Sequence, residues 1–204
     1  MQKGIKPASL GPDLKAGLEK AMKRKGFKGW DSAAAAAVSF RELVMDVGLK
    51  NQSHKCIWCT LLVGERGRRT AHRDHIAPKS LYPQWTFLPE NIAISCEFCN
   101  GFMVKGDLDT VSKVDALYEN SEFLIVHPYL DDIGVHIGFS EDEAKIPAVI
   151  FGLSERGKWT ISRLKLDSDF MTLQRAREIL IDREYSKLRE EDQDRVRSAL
   201  NFGR

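Results

Sequence analysis

Two cysteine pairs, Cys56-Ile57-Trp58-Cys59 and Cys96-Glu97-Phe98-Cys99, bracket Asp74-His75 and Asn91, and Asn100 follows the second pair directly. A two-residue gap lets both sulfurs of a pair face one ion from a tight turn, and two such knuckles complete a tetrahedral set around zinc. Disulfides, a redox pair or unrelated buried thiols are the other readings of four cysteines, but the chain starts without an apolar secretory stretch. An expected intracellular, cytoplasmic setting therefore favours thiolates on a metal. The 36 residues between the pairs exceed the common ribbon spacing, so something is inserted there. That insert carries an imidazole, a carboxylate and a carboxamide, the polar groups that phosphodiester hydrolysis needs: a base for water, a hard ligand set and stabilisation of the departing oxygen.

The elements that must position these groups are legible as patterns. Leu14, Leu18, Ala21 and Met22 recur at helical spacing after Pro12-Asp13. Asp31-Ser32 is a candidate cap for a second helix running from Ala33 through Phe40, Leu43, Val44 and Val47, stopping near Gly48 and Asn51. Residues 1–50 thus form a helical N-terminal region. Within 51–108, Arg69 to Ile76 reads as a strand leading to a turn at Pro78-Lys79-Ser80, and Asn91 to Ser95 as a second strand. A helix is expected from Cys96 through Met103, ended by Gly106-Asp107. Residues 109–204 read as a small α/β region. Phe123 to Val126, Val135 to Ile137, Ala148 to Phe151 and Trp159 to Ile161 suggest a mostly antiparallel sheet, followed by helices around Leu173–Leu180 and Val196–Leu200.

Composition bounds the partners. With 31 Lys and Arg against 29 Asp and Glu, the net charge of +2 does not announce a nucleic-acid binder, so any phosphate-attracting surface is local. Arg66, Arg68, Arg69, Arg73 and Lys79 lie within the insert, beside Asp74-His75, and Lys105 follows the second cysteine pair. No apolar run is long enough to span a bilayer, so no membrane role is expected. Trp85 and Phe87 read as packing residues, and His72 as an ordinary histidine beside Asp74.

Residues 56–107 resemble the His-Asn-His (HNH) endonuclease family in its zinc-stapled, ββα-metal form. Asp74-His75-Ile76-Ala77-Pro78-Lys79-Ser80 matches the family's first element, Asn91 the middle asparagine, and Cys96-Glu97-Phe98-Cys99-Asn100 the last. The expected fold class is therefore α+β. The resemblance implies an endonuclease acting on DNA, with RNA as the second choice, in which His75 is the general base and Asn91 orients the loop and the base. Asp74 and Asn100 are hard oxygen donors suited to a catalytic Mg or Mn ion, and Cys56, Cys59, Cys96 and Cys99 hold structural Zn. Arg68, Arg69, Arg73, Lys79 and Lys105 are the candidate nucleic-acid contacts. One geometric point is open in the sequence: a regular strand sends Asp74 and His75 to opposite faces, whereas a bend or bulge lets both serve one site.

Two departures from the family pattern stand out. The lysine that follows the final Cys-Asn is delayed to Lys105, and the loop's glycine pair is replaced by Leu81-Tyr82-Pro83-Gln84-Trp85. Gly29-Trp30 upstream, His127 to Asp132, Val135 to Ile137, Thr160-Ile161, Leu164 and Leu166 bear a weaker likeness to HNH proteins that partner ATPases in bacterial anti-phage defence. That likeness implies an ATPase partner, while His127 and His136 read as structural histidines. The rival from another class is a non-catalytic zinc-binding nucleic-acid or protein adaptor, and a second rival is a degenerate nuclease kept as a binding subunit.

Overall fold

A computed structural model of the chain describes residues 4–67, 69–140 and 147–199. Helix α1 (Pro12–Lys25) begins with proline and Asp13 and ends in Lys23-Arg24-Lys25, complementing its dipole at both ends, and Gly26 at φ 54° stops it. The expected cap of the second helix at Asp31-Ser32 is not formed. Residues Gly26–Asp31 make a 3₁₀ turn in which Ser32 Oγ donates to Gly29 O at 2.8 Å, so helix α2 (Ala35–Asn51) starts three residues later without a side-chain cap. Arg41 holds this connection by donating to the carbonyls of Trp30 and Ser32. The buried face of α2 is Ala37, Phe40 and Val44, at helical spacing.

Strands β1 (Ala71–His75) and β2 (Ile92–Cys96) pair antiparallel with a continuous register from Ala71↔Cys96 to His75↔Ile92. The expected helix after Cys96 is absent. Residues 97–107 instead form successive turns, with Asn100 N donating to Cys96 O at 3.0 Å and Gly106 N to Gly101 O at 3.1 Å. Phe102 and Met103 are 91% and 79% exposed, so this segment has no apolar stripe to hold a helix down. Gly106, at φ 43°, supplies the left-handed residue that closes the turns.

The C-terminal region also departs from its expected single sheet. Strands β3 (Val111–Lys113) and β4 (Glu122–Phe123) form one two-stranded hairpin, and β5 (Ile137–Ser140) and β6 (Val149–Gly152) another. Val135-His136 fall in a one-turn helix α3 (Ile133–His136) rather than a strand. Trp159-Thr160-Ile161 lie inside helix α4 (Glu155–Leu164), where Ser154 caps the first turn and Gly157, Thr160, Ile161 and Leu164 bury one face. That 3.6-residue period outweighs the strand preference of three consecutive residues. Helices α5 (Asp169–Lys187) and α6 (Glu190–Ala199) follow, and Leu200 of the expected last helix lies outside the described residues.

Two apolar clusters hold these elements. One joins the four cysteines, Trp58, Ile94 and Trp85 to Ile125, Leu164 and Met171, so the knuckles and the C-terminal helices share a core. The other packs Leu18, Trp30, Phe40 and Val44 on Phe87 and Ile92, which places the N-terminal helices against the hairpin. Among the described residues no helix is long and apolar enough to cross a membrane.

Gln52, at the end of α2, acts as a surrogate strand. Its buried amide donates to Ile94 O at 2.6 Å and accepts from Ile94 N at 2.8 Å, fixing α2 to β2. Gln52→Leu leaves Ile94 N without its acceptor, while Ile94 O keeps the bond from Ile57 N at 2.9 Å, and should cost about 1 to 3 kcal/mol. Urea denaturation of the variant against the parent checks this.

Candidate functional site

The four cysteine sulfurs lie within 4.8 Å of one another and all four residues are buried. Cys59 Sγ and Cys96 Sγ are 3.8 Å apart. A tetrahedral zinc with bonds of about 2.3 Å requires sulfurs roughly 3.8 Å apart, so the cluster fits that ion. The protonation pattern agrees: burial pushes the Cys56 thiol up, neighbouring thiols push Cys99 up, and hydrogen bonds from the other three cysteines pull Cys96 down. Thiolates are the form that binds zinc, and a divalent ion at the centre favours ionisation of the sulfurs around it. Thr60 pays for the first knuckle's tight turn with φ 67°, an uncommon conformation for a β-branched residue, and its N–H donates to Cys56 O at 3.0 Å.

Regular pairing of β1 divides the remaining candidates between two faces. Asp74 points toward the cysteine module, where Trp58 Nε1 donates to its Oδ2 at 2.7 Å and Lys105 Nζ contacts its Oδ1 at 2.8 Å. Both side chains of this ion pair are 1% exposed, and Lys105 also donates to His75 O at 2.5 Å. His72 shares this face, two residues away, and Asn100 Nδ2 donates to its Nδ1 at 3.3 Å.

His75 faces the opposite way. Its ring sits 4.4 Å from Trp30 in an edge-on contact, and its Nε2 donates to Thr86 O at 3.0 Å, which leaves Nδ1 as the acceptor nitrogen. Burial, with Lys79 and Lys105 nearby, lowers its pKa to about 3. The expected opposition of His75 to an ion on Asp74 and Asn100 is therefore not assembled, because no bulge interrupts the ladder at this point. Nor do Asp74 and Asn100 as placed fit a divalent ion, since both carboxylate oxygens are already engaged and an ammonium occupies the cation's position.

Asn91 bonds to the backbone of the loop between the strands and not to the His75 ring. Fully buried, it accepts from Ala77 N at 2.8 Å and donates to Ala77 O at 3.0 Å and Trp85 O at 3.2 Å, closing the loop between the strands. Tyr118 donates to the same Oδ1 at 3.0 Å, and His127 Nε2 donates in turn to the Tyr118 oxygen at 2.8 Å. The direction follows from His127 Nδ1, which accepts from Tyr129 N and Leu130 N. Trp85 and Phe87 are buried packing residues, as expected.

The cationic candidates separate. Arg69 is bound to Glu178 at 2.6 Å and Arg73 donates to Arg41 O, while Lys79 is half-buried near His75. Lys105 is too buried to meet a phosphate in this arrangement, which corrects its expected role. Arg68 and the side chain of Arg66 lie outside the described residues. Sequence reasoning missed Trp58 and Lys105 as the partners of Asp74. It also set aside His72, although the period-two alternation from Asp74 points to that position. A cavity of about 910 Å³ lies elsewhere, between α1 and residues 84–90.

No family model matches the chain. It is 31% identical over 83 residues to "Protein ea31" of Escherichia phage lambda, an alignment covering 41% of this chain and 23% of that protein's length.

Two measurements test this arrangement. The purified chain should hold one zinc, and Cys96→Ser should lose it, as read by chelator competition. His75 and His127 are both pushed down to about 3, mainly by burial. Their folded values lie below the unfolded value of about 6.5, so their stabilisation is complete above that pH and is lost as pH falls toward 3. With zinc in excess, moving from pH 7 to 5 should cost about 2 kcal/mol per histidine, and His127→Gln should flatten that slope.

Proposed function

We propose that the chain is an HNH-type, metal-dependent endonuclease, with DNA the favoured substrate, and that the arrangement described above is its closed state. The observation that carries the reading is the loop clamp. The His75 ring is tied to the carbonyl of Thr86 while Asn91 pins both ends of the same loop, the relation expected of a histidine and the asparagine that orients it. Asn100 lies against β1 on the face of Asp74, in keeping with a site that draws on the strand and on the turn after the second knuckle. Hydrolysis then requires the Asp74–Lys105 pair to open. A base with a conjugate acid near 3 is also a weak proton acceptor at neutral pH, so His75 must become better hydrated in the active form. A closed site of this kind suits activation by a partner, and the resemblance names an ATPase in anti-phage defence as its class.

The second reading, a zinc-stapled adaptor without activity, is favoured by the same buried ion pair, which gives Asp74 a structural role in place of a catalytic one. Lys105→Met separates the two. Removing the ammonium leaves a buried carboxylate without its cation, at a cost of about 3 to 5 kcal/mol. If Asp74 belongs to a divalent-ion site, Mg or Mn should restore much of the lost thermal stability of the variant and leave Lys105→Met/Asp74→Asn unmoved. Plasmid, single-stranded DNA and RNA incubated with parent and variant, with Mg or Mn and then with chelator, give the activity arm. Metal-dependent nicking lost in His75→Ala supports the endonuclease; tight binding with no cutting and no metal rescue supports the adaptor.

A further inference from the structure

Helix α5 crosses both knuckles. At its start Phe170 packs on Phe98 of the second knuckle, with ring centroids 6.3 Å apart. Two turns further on, Glu178 accepts from Leu62 N at 3.1 Å, just after the first knuckle, and from Arg69 at 2.6 Å. Met171 joins the apolar cluster that contains all four cysteines. Between these contacts and on the same helical face, at i and i+4 from Met171, lies Arg175.

Arg175 is 2% exposed, an unusual place for a guanidinium. Its Nε donates to Ala148 O at 2.6 Å and its Nη2 to Leu166 O at 2.8 Å and Thr172 Oγ1 at 3.2 Å. Its Nη1 is buried with no hydrogen-bond partner. No carboxylate accepts a bond from it among the described residues. Arg175 lines a cavity of about 300 Å³ together with Thr60, Leu61 and Leu62, the residues that follow Cys59. Burial pulls its pKa down, and the Cys59 and Cys99 sulfurs, then Asp167, oppose that shift.

We propose that Arg175 is the counter-cation of the tetrathiolate metal centre, so that metal loading and the docking of α5 are coupled. Four thiolates on a divalent ion leave two net negative charges in a buried setting, where a compensating cation is strongly favoured. Met171 of α5 shares its core with all four cysteines, so drawing the sulfurs onto one ion also firms the surface on which the helix and Arg175 rest. Groups around a metal's ligands commonly change its affinity by about 10- to 100-fold.

Zinc affinity of the full-length chain, measured by competition with a chromophoric chelator, tests this. Arg175→Gln should weaken zinc binding about tenfold, and Arg175→Lys, which keeps the charge, should recover most of it. Arg69→Gln, which loosens α5 without removing charge at the metal, serves as the control and should change affinity less than Arg175→Gln. Should Arg175→Gln fail to fold, hydrogen exchange of the parent chain decides: amides of residues 169–187 should lose protection when zinc is removed. Parental zinc affinity in a folded Arg175→Gln, equal loss in the Lys and Gln variants, or unchanged α5 protection on zinc removal would overturn the proposal.

Discussion

Closure of four sulfurs from residues 56–59 and 96–99 within 4.8 Å is the constraint on which the rest of the molecule hangs. The first knuckle precedes β1 and the second begins at the end of β2, so a single metal-sized gap fixes the hairpin register and the position of the turns that follow. Trp58 lies between two of the cysteines and reaches Asp74, so the knuckle that offers two of the sulfurs also holds the carboxylate. Binding energy at such a centre is folding energy, because an unfolded chain offers no preformed tetrahedron.

Around that staple, the hairpin sorts polar groups by face. One face carries His72, Asp74, Lys105 and Asn100 toward the cysteine module, and the other carries Arg73 and His75 toward the N-terminal helices. A buried ion pair is held by its surroundings more than by its own attraction, since desolvation offsets much of the Coulomb gain. Lys105 remains inside because it also meets the His75 carbonyl, with the exposed Phe102 and Met103 turned out in its place. The loop between the strands is fixed separately by Asn91, and the Tyr118–His127 chain extends this support into the C-terminal region.

Much of this was legible from residue order. The cysteine spacing pointed to a shared metal cluster and the apolar periodicity to α1, α2 and α5, whereas a loop role for Asn91 came only from the family resemblance. Less legible was Trp159-Thr160-Ile161, whose β-branched and aromatic content suggested a strand although its buried neighbours Gly157 and Leu164 follow helical spacing. The helix expected after Cys96 failed for the complementary reason: good local spacing had no apolar surface on which to dock. Arg175 carried no signal at all, because a lone arginine in an amphipathic helix reads as solvated until the packing places it inside.

Sequence alone determined the donors and their order: four thiols in two knuckles, a carboxylate beside an imidazole, and two asparagines, one at the start of the second strand and one directly after the second knuckle. Tertiary structure decided which of them meet. Strand alternation is a local rule, but whether a bulge breaks it depends on the partner strand, and β2 pairs without one, so Asp74 and His75 part company. Likewise, the spacing of Lys105 from Asp74 along the chain says nothing of their 2.8 Å contact, because turns and core packing set long-range charge pairing.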